Sequence, residues 1–158
     1  MRKALIALGI AGFLGVLIVY ILYNFSPYDN AKLVDMASIF GVPNAIELTD
    51  NINNLIDYGL IFSLIDPKLF YILLVLSFVF TLSFVSGVHM LIDKLFYKKF
   101  YEEPKTWPAL RRGLLVYIIL LSLVLFRLIG VLSILNALSI LVMGVIAEVL
   151  LIKFTKKS

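Results

Sequence analysis

From Gly113 to Ile152 the chain runs apolar for about 40 residues, broken by only two charges, Arg127 and Glu148. At 1.5 Å per residue a single helix of that length measures roughly 60 Å, twice the hydrocarbon thickness of a bilayer. The stretch must therefore fold back on itself. Gly130, Ser133 and Asn136 are the weakest helix formers near its middle, so a tight turn is expected between Gly130 and Asn136. Antiparallel helices over about 113–131 and 135–152 flank that turn.

Two further runs have spanning length. Ala4 to Tyr23 is continuously apolar and reaches roughly 30 Å as a helix. Leu69 to Ile92 is entered through Phe70 and Tyr71 and left through Phe96 and Tyr97, aromatics that suit the two membrane interfaces. The expected fold is an all-α membrane protein with four transmembrane helices, at about 4–23, 69–92, 113–131 and 135–152. Composition agrees: 62% of the 158 residues are hydrophobic and 15% charged, where soluble domains carry about 25% charged residues. The sequence begins Met1-Arg2-Lys3 and imitates a secretory signal, yet the apolar core is about twice the usual length and no small-x-small cleavage site follows. It is expected to be a retained first span.

The net charge of +4 acquires meaning from its placement. Arg2 and Lys3 precede the first run, Lys94, Lys98, Lys99, Lys105, Arg111 and Arg112 lie in the middle, and Lys153, Lys156 and Lys157 close the chain. Such flanking charge orients spans toward the cytoplasm rather than binding nucleic acid. Four crossings bring all three clusters to one side, with both termini cytoplasmic; three crossings would strand the last cluster outside. The segment 24–68, rich in Asp and poor in Lys, is expected to be the outer loop, and 93–112 the inner loop. Within the outer loop, Asn30 to Phe40 places Leu33, Met36, Ala37 and Phe40 on one helical face, and Asp50 to Ile65 aligns Ile52, Leu55, Ile56 and Leu60.

Chemistry is sparse. The absence of cysteine excludes disulfides and thiolate metal sites, and one histidine leaves a metal few ligands. No cofactor is expected. The Asp/Asn run from Asp50 to Asp57 fails the calcium-loop pattern, with Ile52, Leu55 and Ile61 at positions 3, 6 and 12. No phosphate loop, catalytic triad order or HExxH is present.

The intramembrane charges Arg127 and Glu148 are the candidates of functional interest, against the plainer reading of snorkelling or structural pairing. In a hairpin turning near residue 134 they differ in depth by roughly 10 Å, so each needs another partner. Depth alone offers Asp66 or Asp57 for Arg127, and Lys94, Arg112, His89 or Lys153 for Glu148. His89 is followed by Asp93 one helical turn on, a spacing at which a carboxylate orients the ring. A proton relay with Glu148 stands beside the plainer interfacial role. Ala7, Ala11 and Gly15 recur every four residues, a face that lets another helix approach closely. Ser77, Thr81, Ser83 and Ser86 stripe the second span, where hydroxyls bond back to their own helix at little cost.

Arg111-Arg112-Gly113, the Leu-rich helix, Arg127-Leu128, the turn Leu135-Asn136-Ala137-Leu138 and Glu148 resemble the C-terminal hairpin of a loose group of uncharacterised small bacterial membrane proteins. The resemblance covers about a quarter of the chain. It implies a bacterial cytoplasmic membrane and carries no function.

The expected function is that of a non-enzymatic structural or accessory component embedded in the lipid bilayer, packing with itself as a homo-oligomer or with a membrane partner. A small transporter or channel subunit is the alternative, and an interfacial enzyme acting on lipid a further one.

Overall fold

The computed structural model describes residues 2–39, 61–96 and 106–155. Regular structure among them is helical: α1 Arg2–Asn24, α2 Asn30–Ile39, α3 Ile61–Leu64, α4 Pro67–Phe96, α5 Thr106–Leu128 and α6 Ile134–Thr155. Four of these, α1, α4, α5 and α6, are long and apolar enough to cross a membrane. With 30 residues, α4 measures roughly 45 Å and exceeds a hydrocarbon core of roughly 30 Å.

The helix bounds differ from the sequence expectation mainly before Gly113. The segment 93–112 was expected to be a loop, but α4 runs on to Phe96 and α5 already begins at Thr106. Pro108 lies in the first turn of α5, where a missing N–H costs no hydrogen bond, so it starts the helix rather than breaking it. Charge at Arg111 and Arg112 ends an apolar run without ending a helix. Residues 97–105 fall outside the described residues.

The expected hairpin turn forms, displaced toward its N-terminal side. Helix α5 closes with the Gly130 N–H donating to Arg127 O (3.0 Å) and the Val131 N–H to Phe126 O (3.0 Å), the paired bonds of a Schellman end. Gly130 has φ of 78°, a left-handed conformation that glycine adopts without a Cβ clash. Ser133 then caps α6, its Oγ accepting from the Asn136 N–H at 3.2 Å, and the Asn136 amide donates back to Val131 O at 2.8 Å. Gly130→Ala is expected to cost about 1 kcal/mol through strain at this φ, read as an earlier unfolding midpoint in detergent.

Small residues set the helix contacts. Ala4 and Ala11 are buried, Ala7 packs on the Ala4, Met90 and Ala109 cluster, and a Cβ on Gly15 would stand 3.2 Å from the Phe80 ring. The expected small-residue face of α1 is thus occupied by α4 of the same chain. At Gly87 a Cβ would meet Leu8 at 2.9 Å. Between α4 and α5 the close point is Gly113, where a Cβ would lie 3.1 Å from Leu82 O, and Ser86 Oγ beside it donates to Ala109 O at 3.1 Å. Tyr117 donates to Leu74 O at 3.1 Å and meets Phe78 edge-on. Gly144 of α6 faces the Ile119 side chain.

The principal contacts are α1 with α4, α4 with α5, and α5 with α6. By these main contacts the four long helices follow one another in a row in chain order, antiparallel in succession. Ala4, Met90 and Ala109 come together, and Glu148 reaches Arg111. One end of the row accordingly gathers the starts of α1 and α5 and the finishes of α4 and α6. It carries Arg2, Lys3, Lys94, Arg111, Arg112 and Lys153 and is called the basic end below.

At the opposite end α2 and α3 form a small lobe. The Asp29 N–H donates to Leu64 O (2.8 Å) and the Asp66 N–H to Pro27 O (3.1 Å), while Lys32 reaches Ser63 O. Asp29 caps α2 through the Ala31 N–H. Asp66 caps α4 through the Lys68 N–H, with Pro67 as the first helical residue. Leu33, Ala37 and Leu64 are the lobe's core, with Tyr28 and Met36 against it. The expected helix from Asn30 is described to Ile39, so its face of Leu33, Met36 and Ala37 is present while Phe40 lies outside the described residues. Of the second expected helix only α3 is described; residues 50–60 lie outside.

Candidate functional site

Each of α4, α5 and α6 presents an apolar stripe that ends, at the basic end, in a polar side chain. On α4, Val85, Val88 and Ile92 surround His89; on α5, Leu115, Val116 and Ile119 follow Arg112; on α6, Leu141, Gly144 and Val145 precede Glu148. These are the three- and four-residue spacings of a single helix face. Because α5 starts at Thr106, Arg112 belongs to that face rather than to a loop.

The polar ends meet. Glu148 Oε1 accepts from Arg112 Nε at 3.0 Å and from Arg111 Nη2 at 3.1 Å. Arg112 Nη1 lies 3.0 Å from Nδ1 of His89 and 2.9 Å from its Nε2, and His89 Nε2 lies 3.5 Å from Asp93 Oδ2. Arg112 Nη1 is a donor within reach of both ring nitrogens, so the one that carries no proton accepts from it. The result is a chain of charge from Asp93 through His89 and Arg112 to Glu148 and Arg111. Two guanidinium groups balance two carboxylates, so burial does not isolate a charge. Arg111 and His89 side chains are 13% exposed, whereas Arg112 retains 41%. The second oxygen, Glu148 Oε2, is buried and accepts no hydrogen bond among the described residues.

Above this network the three stripes enclose a cleft between α4 and α6, floored by α5, with a volume of about 570 Å³. It is apolar along its length, and His89, Arg112 and Glu148 close its basic end.

Of the candidates read from sequence, the structure brings Glu148, His89 and Asp93 into one site and leaves Arg127 apart. Arg127 sits in the last turn of α5, fifteen residues beyond Arg112, which is roughly 22 Å along the helix. Depth had offered four bases for Glu148; of these Arg112 makes the contact. Arg111 was not foreseen, and its signal was the adjacent Arg112 once both are read as helical. Ala7, Ala11 and Gly15 contribute to the α1–α4 contact and not to the cleft. Ser77 Oγ donates to Leu74 O of its own helix at 2.9 Å, as expected of this stripe, whereas Ser86 Oγ donates across to Ala109 O of α5.

Comparison with known protein families, with curated proteins and with solved structures gives no match.

Proposed function

We propose that the chain is a multi-pass protein of a bacterial cytoplasmic membrane, with its basic end and both termini in the cytoplasm, acting as a non-enzymatic accessory component through packing. The observation that carries this reading is the closure of the charged side chains on one another. Glu148 pairs with Arg111 and Arg112, and His89 stands between Arg112 and Asp93, all at one end, and Arg127 stands roughly 22 Å away along α5. A transport path needs polar groups distributed through the membrane depth. Here the polar groups in between, such as Ser77 and Ser122, bond to their own helix carbonyls.

The surface offered to other membrane molecules shifts accordingly. The small residues of α1 are already committed to α4, whereas α6 has α5 as its principal neighbour and borders the open cleft. The positive-inside bias supports the orientation.

The chain lacks cysteine, so single introduced cysteines report cleanly. Asn30→Cys, in the lobe opposite the basic end, is expected to react with an impermeant maleimide on intact cells, and Lys3→Cys only after permeabilisation. The reverse pattern overturns the orientation. Crosslinking from Val142→Cys on α6 in native membranes is expected to give a discrete adduct. A chain that stays free of adducts overturns the accessory reading.

A further inference from the structure

We infer that the cleft between α4 and α6 is a binding site for an anionic phospholipid of the cytoplasmic leaflet, an acyl chain lying along the cleft and the phosphate meeting Arg112. The inference rests on the orientation proposed above for its choice of leaflet, but the site itself does not depend on it.

Dimensions come first. The cleft extends from Phe84 to Ile92 on α4 and from Leu141 to Val149 on α6, eight helical steps on each wall and roughly 12 Å of depth. That approaches one leaflet of a core roughly 30 Å thick. A volume of about 570 Å³ over that length gives a mean cross-section of roughly 50 Å². Flexible hydrocarbon chains match both its width and its lining.

Charge decides the headgroup. Arg112 spends Nε on Glu148 and Nη1 on His89 and remains 41% exposed, which leaves its Nη2 donors uncommitted among the described residues. Of the two carboxylates nearby, Glu148 is bonded through Oε1 by two guanidinium groups while its Oε2 is buried, and Asp93 lies 3.5 Å from His89. Lys94 closes α4 and Lys153 closes α6 on the same end. The mouth of the cleft thus presents positive charge with a free planar donor, the arrangement that recognises a phosphate oxygen. Fixed by the Glu148 and His89 contacts, the guanidinium is held in place before a lipid arrives, which lowers the ordering cost of binding.

The test uses the full chain purified in detergent, delipidated, and supplied with phosphatidylglycerol or with phosphatidylcholine of identical acyl chains, the bound lipid being counted by native mass spectrometry. The wild type is expected to retain one phosphatidylglycerol, with about tenfold preference over phosphatidylcholine, whose quaternary ammonium cancels the charge of the same phosphate and meets the cations of the basic end. Val145→Trp fills the cleft without touching the charged network and is expected to abolish retention of both lipids. Arg112→Gln is expected to remove the preference while leaving acyl binding. Equal retention of the two lipids by wild type, or full retention by Val145→Trp, overturns the proposal. So does a lipid-free dimer that Val145→Trp dissociates, since a second copy would then be the occupant. The cysteine labelling above reads orientation separately: reversed labelling with intact phosphatidylglycerol selectivity would move the site to the other leaflet and retire the functional reading alone.

Discussion

Replacing Glu148 by leucine is expected to lower stability by about 3 kcal/mol, the low end for removing one partner of a buried ion pair. The low end applies because Arg112 is 41% exposed and its guanidinium can turn to the headgroup region, while Arg111, 13% exposed, has less room to do so. Both arginines bond the same oxygen, Oε1, so the leucine removes the acceptor that these two adjacent cations share. Glu148→Gln keeps an acceptor but not the charge, and is expected to fall between wild type and the leucine variant. Adding Arg111→Met to Glu148→Leu should recover part of the loss, because an apolar pair of similar volume avoids the stranded cation. Unfolding by a denaturing detergent, followed by loss of helix signal, measures all three. A leucine variant as stable as wild type would show that the network does not hold α5 and α6 together.

Gly113→Val is expected to cost about 2 kcal/mol by overpacking the α4–α5 crossing. A Cβ there stands 3.1 Å from the Leu82 carbonyl oxygen and 3.3 Å from Leu82 Cα, backbone atoms that yield only if α4 itself moves. The displacement also pulls Ala109 O from Ser86 Oγ, a buried bond of 3.1 Å. Gly12→Val is the matched control, since a Cβ at Gly12 has nothing within 4 Å. It should change stability by less than about 0.5 kcal/mol. The same unfolding assay applies, and similar losses in the two variants would mean that the cost arises from the β-branched side chain and not from the crossing.

The four long helices are legible in the sequence because bilayer thickness is an external ruler: a run of 20 apolar residues spans it, and one of 40 must turn. The turn is legible too, since Gly130 supplies the left-handed residue and Ser133 the cap. The start of α5 is not. Apolar runs stop at the first charge, whereas helices stop where backbone hydrogen bonding fails, and Arg111 and Arg112 separate the two criteria by about two turns. That displacement hid the site. With Arg112 read as loop, its periodic relation to Leu115, Val116 and Ile119 could not be seen, and Glu148 was left with four bases at a suitable depth. His89 and Asp93 were legible as a pair because they share one helix. Ala7, Ala11 and Gly15 announce that something packs closely, but spacing is the same whether that neighbour comes from the same chain or another. Here it is α4, which removes the main sequence argument for self-association through α1.

The row arrangement bears on how the chain is made. Each long helix finds its principal neighbour in the one synthesised just before it: α4 docks on α1, α5 on α4, α6 on α5. During synthesis the main contact of each long helix closes as soon as the next one arrives. The last step differs from the others. Glu148 enters with α6 and meets guanidinium groups that α5 has already carried into position, so the docking of α6 gives Arg111 and Arg112 their shared carboxylate.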